Sequence, residues 1–369
     1  MDPAVKVPLL DLRAQYASVR DEVDEAVARV HERGNYVMGL ELEAFEAEWA
    51  AYCDAKYCAG VSSGTDAIYL ALQALQELDG PTTVVRVPSA TFIGTAEPVI
   101  RAGCRLELTD VDSHGIMLRP TPRPAHAAPT SANIVLPVAL YGRPVSWVNE
   151  ATTSDDHDIV ITDLAQAHGH QLGWAMIGCF SFYPSKNLGA AGQGGAVVTD
   201  DEEIANMVRS LRNHGEGNVR FRHERLSGNY RLDELQAAIL RAKLPHLDAW
   251  NQRRREIARS YYGRLQGLPG LTMPEDVPGH VYHIFTLRCP RRDDLAAFLG
   301  ERGIQTAVRY PLTLHQQPAL AFLSHKNGDF LNAEAWAAEN LSLPIYETMP
   351  DEQVEYVAAA VREWAEMQA

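Results

Sequence analysis

In the chain of 369 residues, the stretch "FSFYPSKNLGAAGQGG", Phe180 to Gly195, surrounds one lysine with aromatics, a proline and glycines. Lys186 stands at its centre, followed by Gly189, Gly192, Gly194 and Gly195. Lysine usually stands in solvent. Burial or neighbouring charge destabilises its ammonium and releases a nucleophilic amine. After a strand and before a glycine-rich turn, such a side chain can hang over a pocket.

A lysine of that kind can hold the aldehyde of pyridoxal 5'-phosphate (PLP); the alternative is a surface-loop lysine. PLP's phosphate needs backbone N–H groups at a helix start and a hydroxyl. The stretch "GVSSGTDAIYLALQAL" offers a strand, then Ser62-Ser63-Gly64-Thr65, then an amphipathic helix. A plain helix cap by Ser63 or Thr65 is equally compatible with it. PLP's ring nitrogen needs a carboxylate to stay protonated. In "IVITDLAQAHGH", Asp163 closes an apolar strand, where open α/β sheets bind ligands. Its alternative is an N-cap for the next turn. Cradle, acid and lysine come in chain order, with room for one turn and one strand between Asp163 and Lys186.

Positioning these groups requires alternating strands and helices. Strands are expected at Tyr57–Val61, Thr83–Val87, Arg105–Thr109, Ile134–Val138, Ile159–Thr162, Met176–Ser181 and Gly195–Thr199. Helices are expected at Ala14–Arg33, Leu40–Tyr52, Thr65–Gln76, Thr91–Arg101 and Asp201–Asn213. This alternation predicts a mainly parallel sheet covered by helices, with an irregular loop over Arg119–Thr130. Leu232–Leu265 reads as a long helix, breakable at Pro245. Beyond it a strand at His283–Arg288, helix at Asp293–Arg302, strand at Gln305–Arg309 and helix at Asp351–Met367 predict a smaller α/β domain. The division is placed at 1–245 and 246–369.

The net charge of −15 speaks against a general binder of nucleic acid or anionic membrane, so an anionic ligand needs a local basic cluster. Five cysteines without a CxxC pair favour neither a disulfide framework nor a zinc site, and no metal is expected. No signal peptide or membrane span is evident, so a cytoplasmic setting is expected.

These residues resemble the PLP-dependent aminotransferases of nucleotide-linked keto sugars, the DegT/DnrJ/StrS family. The likeness runs from "VPLLDLRAQY" through "GNYVMGLELEAFEAEWAAYC", "DLAQAHG", "LRNHG" and "GNYRLDELQAAIL" to "RYPLTLHQQPAL" and "LSLPIY", nearly the whole chain. It implies an aspartate-aminotransferase-like α/β fold (PLP fold type I) with a seven-stranded sheet. It also implies a homodimer with shared active sites. By the same resemblance Lys186 is the Schiff-base lysine, Asp163 the partner of the pyridine nitrogen and Gln166 a neighbour of the PLP hydroxyl. Gly64, Thr65 and Ser181 match the phosphate cradle, and Phe92 the aromatic stacked on the ring. Asn229 matches an asparagine reaching the neighbouring subunit's phosphate, or caps the helix near Leu232. His168 is read as structural. Shorter segments than the family's are expected between Asp112 and Ile134 and between Tyr141 and Ile159, and Gln193 replaces a common acid.

The implied reaction moves nitrogen from L-glutamate to a nucleotide-linked keto sugar, with Lys186 as general base. Arg220, Arg222, His223 and Arg225 of "NVRFRHER" are the densest basic run for a diphosphate, with a solvated loop as the alternative. Tyr310 and His315 are candidates for sugar contact. Tyr183 and Asn187-Leu188-Gly189 resemble the branch acting at C-3 of dTDP-linked 6-deoxy sugars, as in antibiotic or polysaccharide biosynthesis. Amination at C-4, a cyclitol substrate and a non-catalytic regulator are the alternatives.

Overall fold

The computed structural model describes residues 6–80, 84–120, 133–149 and 158–368. The expected loop over Arg119–Thr130 and parts of the two shortened segments lie largely outside them. The chain starts with α1 (Leu12–Ser18) and α2 (Arg20–Arg33), where one helix was expected. The Asp11 side chain accepts from the amides of Arg13 and Ala14 and starts α1. Val19 leaves helical geometry at φ −134° and divides the pair, and Gly34 at φ 66° ends α2.

Then follow α3 (Leu40–Tyr52), β1 (Tyr57–Val61), α4 (Gly64–Asp79), β2 (Val84–Pro88), α5 (Ile93–Arg101), β3 (Arg105–Thr109) and β4 (Asn133–Val135). After them come β5 (Ile159–Asp163), β6 (Ile177–Ser181), β7 (Gly195–Thr199) and α6 (Glu202–Leu211). The seven strands form one sheet, ordered β1-β7-β6-β5-β4-β2-β3. β7 is antiparallel to β1 and β6, and the other pairs are parallel. Side chains alternate across the strands. Thus Phe180, Phe182, Ala196 and Val198 join one buried cluster with Phe45 and Trp49 of α3. Ile177, Cys179 and Val197 join another with Ile68 and Leu72 of α4.

The long helix expected over Leu232–Leu265 divides into α7 (Glu234–Lys243) and α8 (Leu247–Leu265), with a 3₁₀ turn through Pro245 between them. Asp233, not Asn229, takes the N-cap position of α7. Glu234 instead turns its buried carboxylate to the amides of Gly39, Glu41 and Leu42, 2.9–3.0 Å away, and caps α3. β8 (Phe285–Arg288), α9 (Arg292–Glu301), α10 (Leu331–Glu339), β9 (Asn340–Leu343) and α11 (Asp351–Glu366) complete the chain.

β8 and β9 form a two-stranded antiparallel sheet. The strand expected over Gln305–Arg309 is not regular: only isolated bridges join Ala307 to Ser342 and Ile304 to Val7. Tyr261, Phe285, Val357 and Trp364 form a third cluster that also takes in Val7. Trp336 of α10 packs the other way, into the first cluster beside Tyr141. A boundary after residue 245 falls in the turn between α7 and α8.

Candidate active site

A cavity of about 350 Å³ opens at the carboxyl ends of β5 and β6, above the start of α4. Of the residues singled out from sequence, Gly64, Thr65, Phe92, Asp163, Gln166, Ser181, Lys186 and Tyr310 line it. The helix cap read from the SSGT stretch is present, and it leaves the first amides of α4 free for a ligand. Ser63 caps α4, its Oγ 3.0 Å from the Asp66 amide. The amides of Gly64 and Thr65 precede the helical ladder and take no acceptor among the described residues. A Cβ on Gly64 would lie 2.6 Å from that of Ser181, and one on Gly94 would lie 2.8 Å from Thr65 Oγ1. The space over the helix start therefore depends on both glycines.

Asp163 is buried at the floor. Thr95 Oγ1 donates to its Oδ2 at 2.8 Å, and the Ala165 amide donates to its Oδ1 at 3.0 Å. Burial raises its pKa, which these bonds and the positive Lys186 counter. Lys186 approaches from the loop after β6, where its amide donates to Tyr183 O at 2.8 Å. Burial pulls its pKa down to about 8; Asp163 opposes the shift and Arg309 adds to it. The next residue anchors the loop: fully buried Asn187 donates to Asn251 Oδ1 at 2.8 Å and to Val281 O at 3.1 Å.

The glycines after Lys186 have no left-handed φ. They serve close approach instead: Gly189 lies against the Pro184 carbonyl and Gly195 against that of Ser63. Gln166 accepts from the Tyr141 amide at 2.7 Å and donates to Tyr310 Oη at 3.3 Å. Phe92 and Tyr310 face each other with ring centres 5.5 Å apart at the mouth. His168 is structural: burial holds it neutral, its pKa near 3, and its Nε2 lies 2.9 Å from Ser181 O.

The residues present fit PLP: a helix start with two uncommitted amides and two hydroxyls, a buried carboxylate and an amine of lowered pKa around one cavity. Asp163 would hold the ring nitrogen, Gly64, Thr65 and Ser181 the phosphate, Phe92 a ring face, and Lys186 the aldehyde carbon.

Tyr183 also lines the cavity, whereas Asn229, the basic run and His315 are not brought there by this chain. Asn229 is exposed, and its backbone bridges to Asn213. Arg222 pairs with Glu224 at 3.5 Å and Arg225 with Glu77 at 3.3 Å. Arg220 stacks on Phe221, and His223 Nδ1 lies 3.1 Å from His214 O. His315, expected near the sugar, is buried with both ring nitrogens bonded, to Thr313 at 2.8 Å and Glu334 at 3.0 Å. It holds the 310s loop to α10 and has no free atom for a substrate. Sequence reasoning passed over Thr95, His283 and Arg309, which line the cavity, and left Gln193 unexplained, which also lines it. Only Arg309 had a signal, its place beside Tyr310.

The profile of the DegT/DnrJ/EryC1/StrS aminotransferase family matches residues 17–362. A dTDP-3-amino-3,4,6-trideoxy-alpha-D-glucose transaminase of Streptomyces venezuelae is 43% identical over 98% of this chain and 97% of its own. The erythromycin biosynthesis sensory transduction protein EryC1 of Saccharopolyspora erythraea is 43% identical over 96% of this chain and 99% of its own. The X-ray structure of S. venezuelae DesV in complex with a ketimine intermediate superposes with a TM-score of 0.88 at 40% identity, covering 98% and 99%.

Proposed function

We propose that this chain, which belongs to the DegT/DnrJ/EryC1/StrS aminotransferase family and is a PLP-dependent sugar aminotransferase, aminates C-3 of a dTDP-linked 3-keto-6-deoxyhexose with L-glutamate as donor. The product is then a dTDP-3-amino-3,6-dideoxyhexose and 2-oxoglutarate. The observation that carries the reading is the half-buried Lys186 in one cavity with buried Asp163 and the α4 cradle, in a chain with a 43% identical relative named for a dTDP-3-amino sugar.

When bound, PLP supplies an electron sink for the carbon that gains or loses a proton. Lys186 Nζ holds the cofactor's aldehyde carbon and, once released, takes the proton from the donor's α-carbon and returns it to the neighbouring carbon. Its lowered pKa leaves a far larger share of the amine free near neutrality than an ordinary lysine keeps, though the ammonium still predominates below about pH 8. Asp163 keeps the ring nitrogen's proton in place, and Thr95 orients Asp163. The Gly64 and Thr65 amides, with the Thr65 and Ser181 hydroxyls, neutralise the phosphate. Phe92 and Tyr310 shield the cofactor from water.

In a homodimer, Asn229 and the exposed run containing Arg220, Arg222, His223 and Arg225 serve the partner's cavity, the diphosphate meeting the cations. The exposed apolar Val219, Phe221 and Leu226 beside that run support a buried place for it in an assembly. The protein works without a membrane or nucleic acid, in the cytoplasm; no described helix is long and apolar enough to cross a membrane.

The test is a panel of dTDP-linked 3-keto and 4-keto sugars and inososes with L-glutamate, the product identified by NMR. A 3-amino product from the 3-keto sugar is expected. Amination of only 4-keto sugars or inososes overturns the assignment, and bound PLP without turnover of any would point to a regulator.

A further inference from the structure

The chain carries a second uncommitted group in the cavity. His283, just before β8, lines it and is otherwise buried. Its Nδ1 lies 3.1 Å from Oδ1 of Asn187. The direction of that bond follows from the neighbours. Asn187 Nδ2 faces the Val281 carbonyl, which can only accept, so the amide cannot be flipped. Asn251 is fixed in the same way, because its own Nδ2 faces the His168 carbonyl at 2.7 Å. Asn187 therefore presents oxygen to His283, and Nδ1 must carry the hydrogen. Burial, with Lys186, Arg254 and Arg309 nearby, keeps the ring neutral. Nε2 is left with a bare lone pair. The described residues offer it no partner, and it is not sealed from the cavity.

An acceptor held in a cavity this way favours a ligand that donates. The amino donor's α-amine goes to the aldehyde carbon that Lys186 releases, and the carboxylate beside its reacting carbon only accepts. PLP's phosphate is met by the α4 cradle. A keto sugar can bring a hydroxyl on the carbon flanking its carbonyl, and that carbon must stand close to Lys186. We propose that His283 Nε2 accepts a hydrogen bond from the C-4 hydroxyl flanking the keto carbon and so selects 4-hydroxy keto sugars over their 4-deoxy counterparts. The inference rests on the nucleotide-sugar reading above and adds to it the group that reads the sugar.

The holoenzyme tests it with two substrates, dTDP-3-keto-6-deoxyhexose and its 4-deoxy counterpart, and two variants, His283→Phe and His283→Gln. Wild type should favour the hydroxy sugar in kcat/KM by about 10- to 100-fold. The ratio should fall toward one in His283→Phe, which lacks the acceptor, and recover in part in His283→Gln, whose amide oxygen can accept. A wild-type ratio near one overturns the inference without any variant, as does an unchanged ratio in His283→Phe. A shift in the bound-cofactor absorbance of sugar-free His283→Phe also overturns it, because Nε2 would then serve the cofactor. Turnover of neither sugar by wild type overturns the nucleotide-sugar reading together with this one, whereas turnover of both with equal ratios overturns this one alone.

Discussion

Two cations in this chain, one fully buried and one half-buried, have opposite surroundings. Arg254 on α8 is 1% exposed at its side chain and pairs with the equally buried Glu347 at 2.7 Å. It also donates to the carbonyls of Tyr282, His283 and Ile345 at 3.0–3.3 Å, while Gln15 donates to the other oxygen of Glu347 at 2.7 Å. Lys186, 68 residues earlier, has an acid nearby but takes no hydrogen bond at Nζ among the described residues. One cation is bonded at both terminal nitrogens, with only its Nε left without a partner, and ties the N-terminal helix, α8 and the segment after β9 together. The other is left for a ligand. A buried charge bonded to a counter-ion and carbonyls is a staple; one without such bonds is poised for chemistry.

The comparison breaks most visibly at Lys186. Lys186→Ala should cut turnover by about 10⁴-fold or more and remove the absorbance of lysine-bound PLP. Its melting temperature should hold or rise, since a desolvated amine is lost, and an unaltered spectrum would place the cofactor on another lysine. Arg254→Met should show the reverse pattern, losing about 3–5 kcal/mol in denaturant unfolding because Glu347 is left buried and unpaired. Adding Glu347→Leu should restore much of that loss, and full additivity of the two losses would contradict the staple.

Asp163→Asn should retain PLP and lower kcat by about 10²- to 10³-fold. Thr95→Val removes one bond to that carboxylate and should cost about tenfold, with the cofactor spectrum titrating at a higher pH than wild type because Asp163 loses a donor to its charged form. The smallest effect is on the pH axis. Below about pH 8 the Lys186 ammonium has no lone pair, so the rate at which apoprotein captures PLP should rise with pH and level off above about 8. A rise continuing to the ordinary lysine range would show that the amine is not desolvated.

Individual residues show how far the sequence could be read. Lys186, Asp163 and the Gly64-Thr65 pair were legible because each sits at a strand or helix end, where local pattern also fixes geometry. β1, β3 and β7 fall on the expected residues because their apolar runs are bounded by turn-forming residues. The expected strand at Gln305–Arg309 failed because apolar content does not supply a partner strand, and only single bridges form there. His315 misled for a related reason: sequence proximity to Tyr310 says nothing of which side of the loop faces the cavity. Gly189 and Gly195 were rightly noted, but their need is close contact with carbonyls, which only the folded chain reveals.

By itself the sequence determined the family, the reaction class and the order of cradle, acid and lysine, since these rest on residue type and short spacing. Tertiary structure decided which charges are satisfied. Arg254 finds Glu347 across 93 residues, and His283 finds Asn187 across 96. Such pairings fix protonation and tautomer through distance and burial, and neither quantity is carried by local sequence.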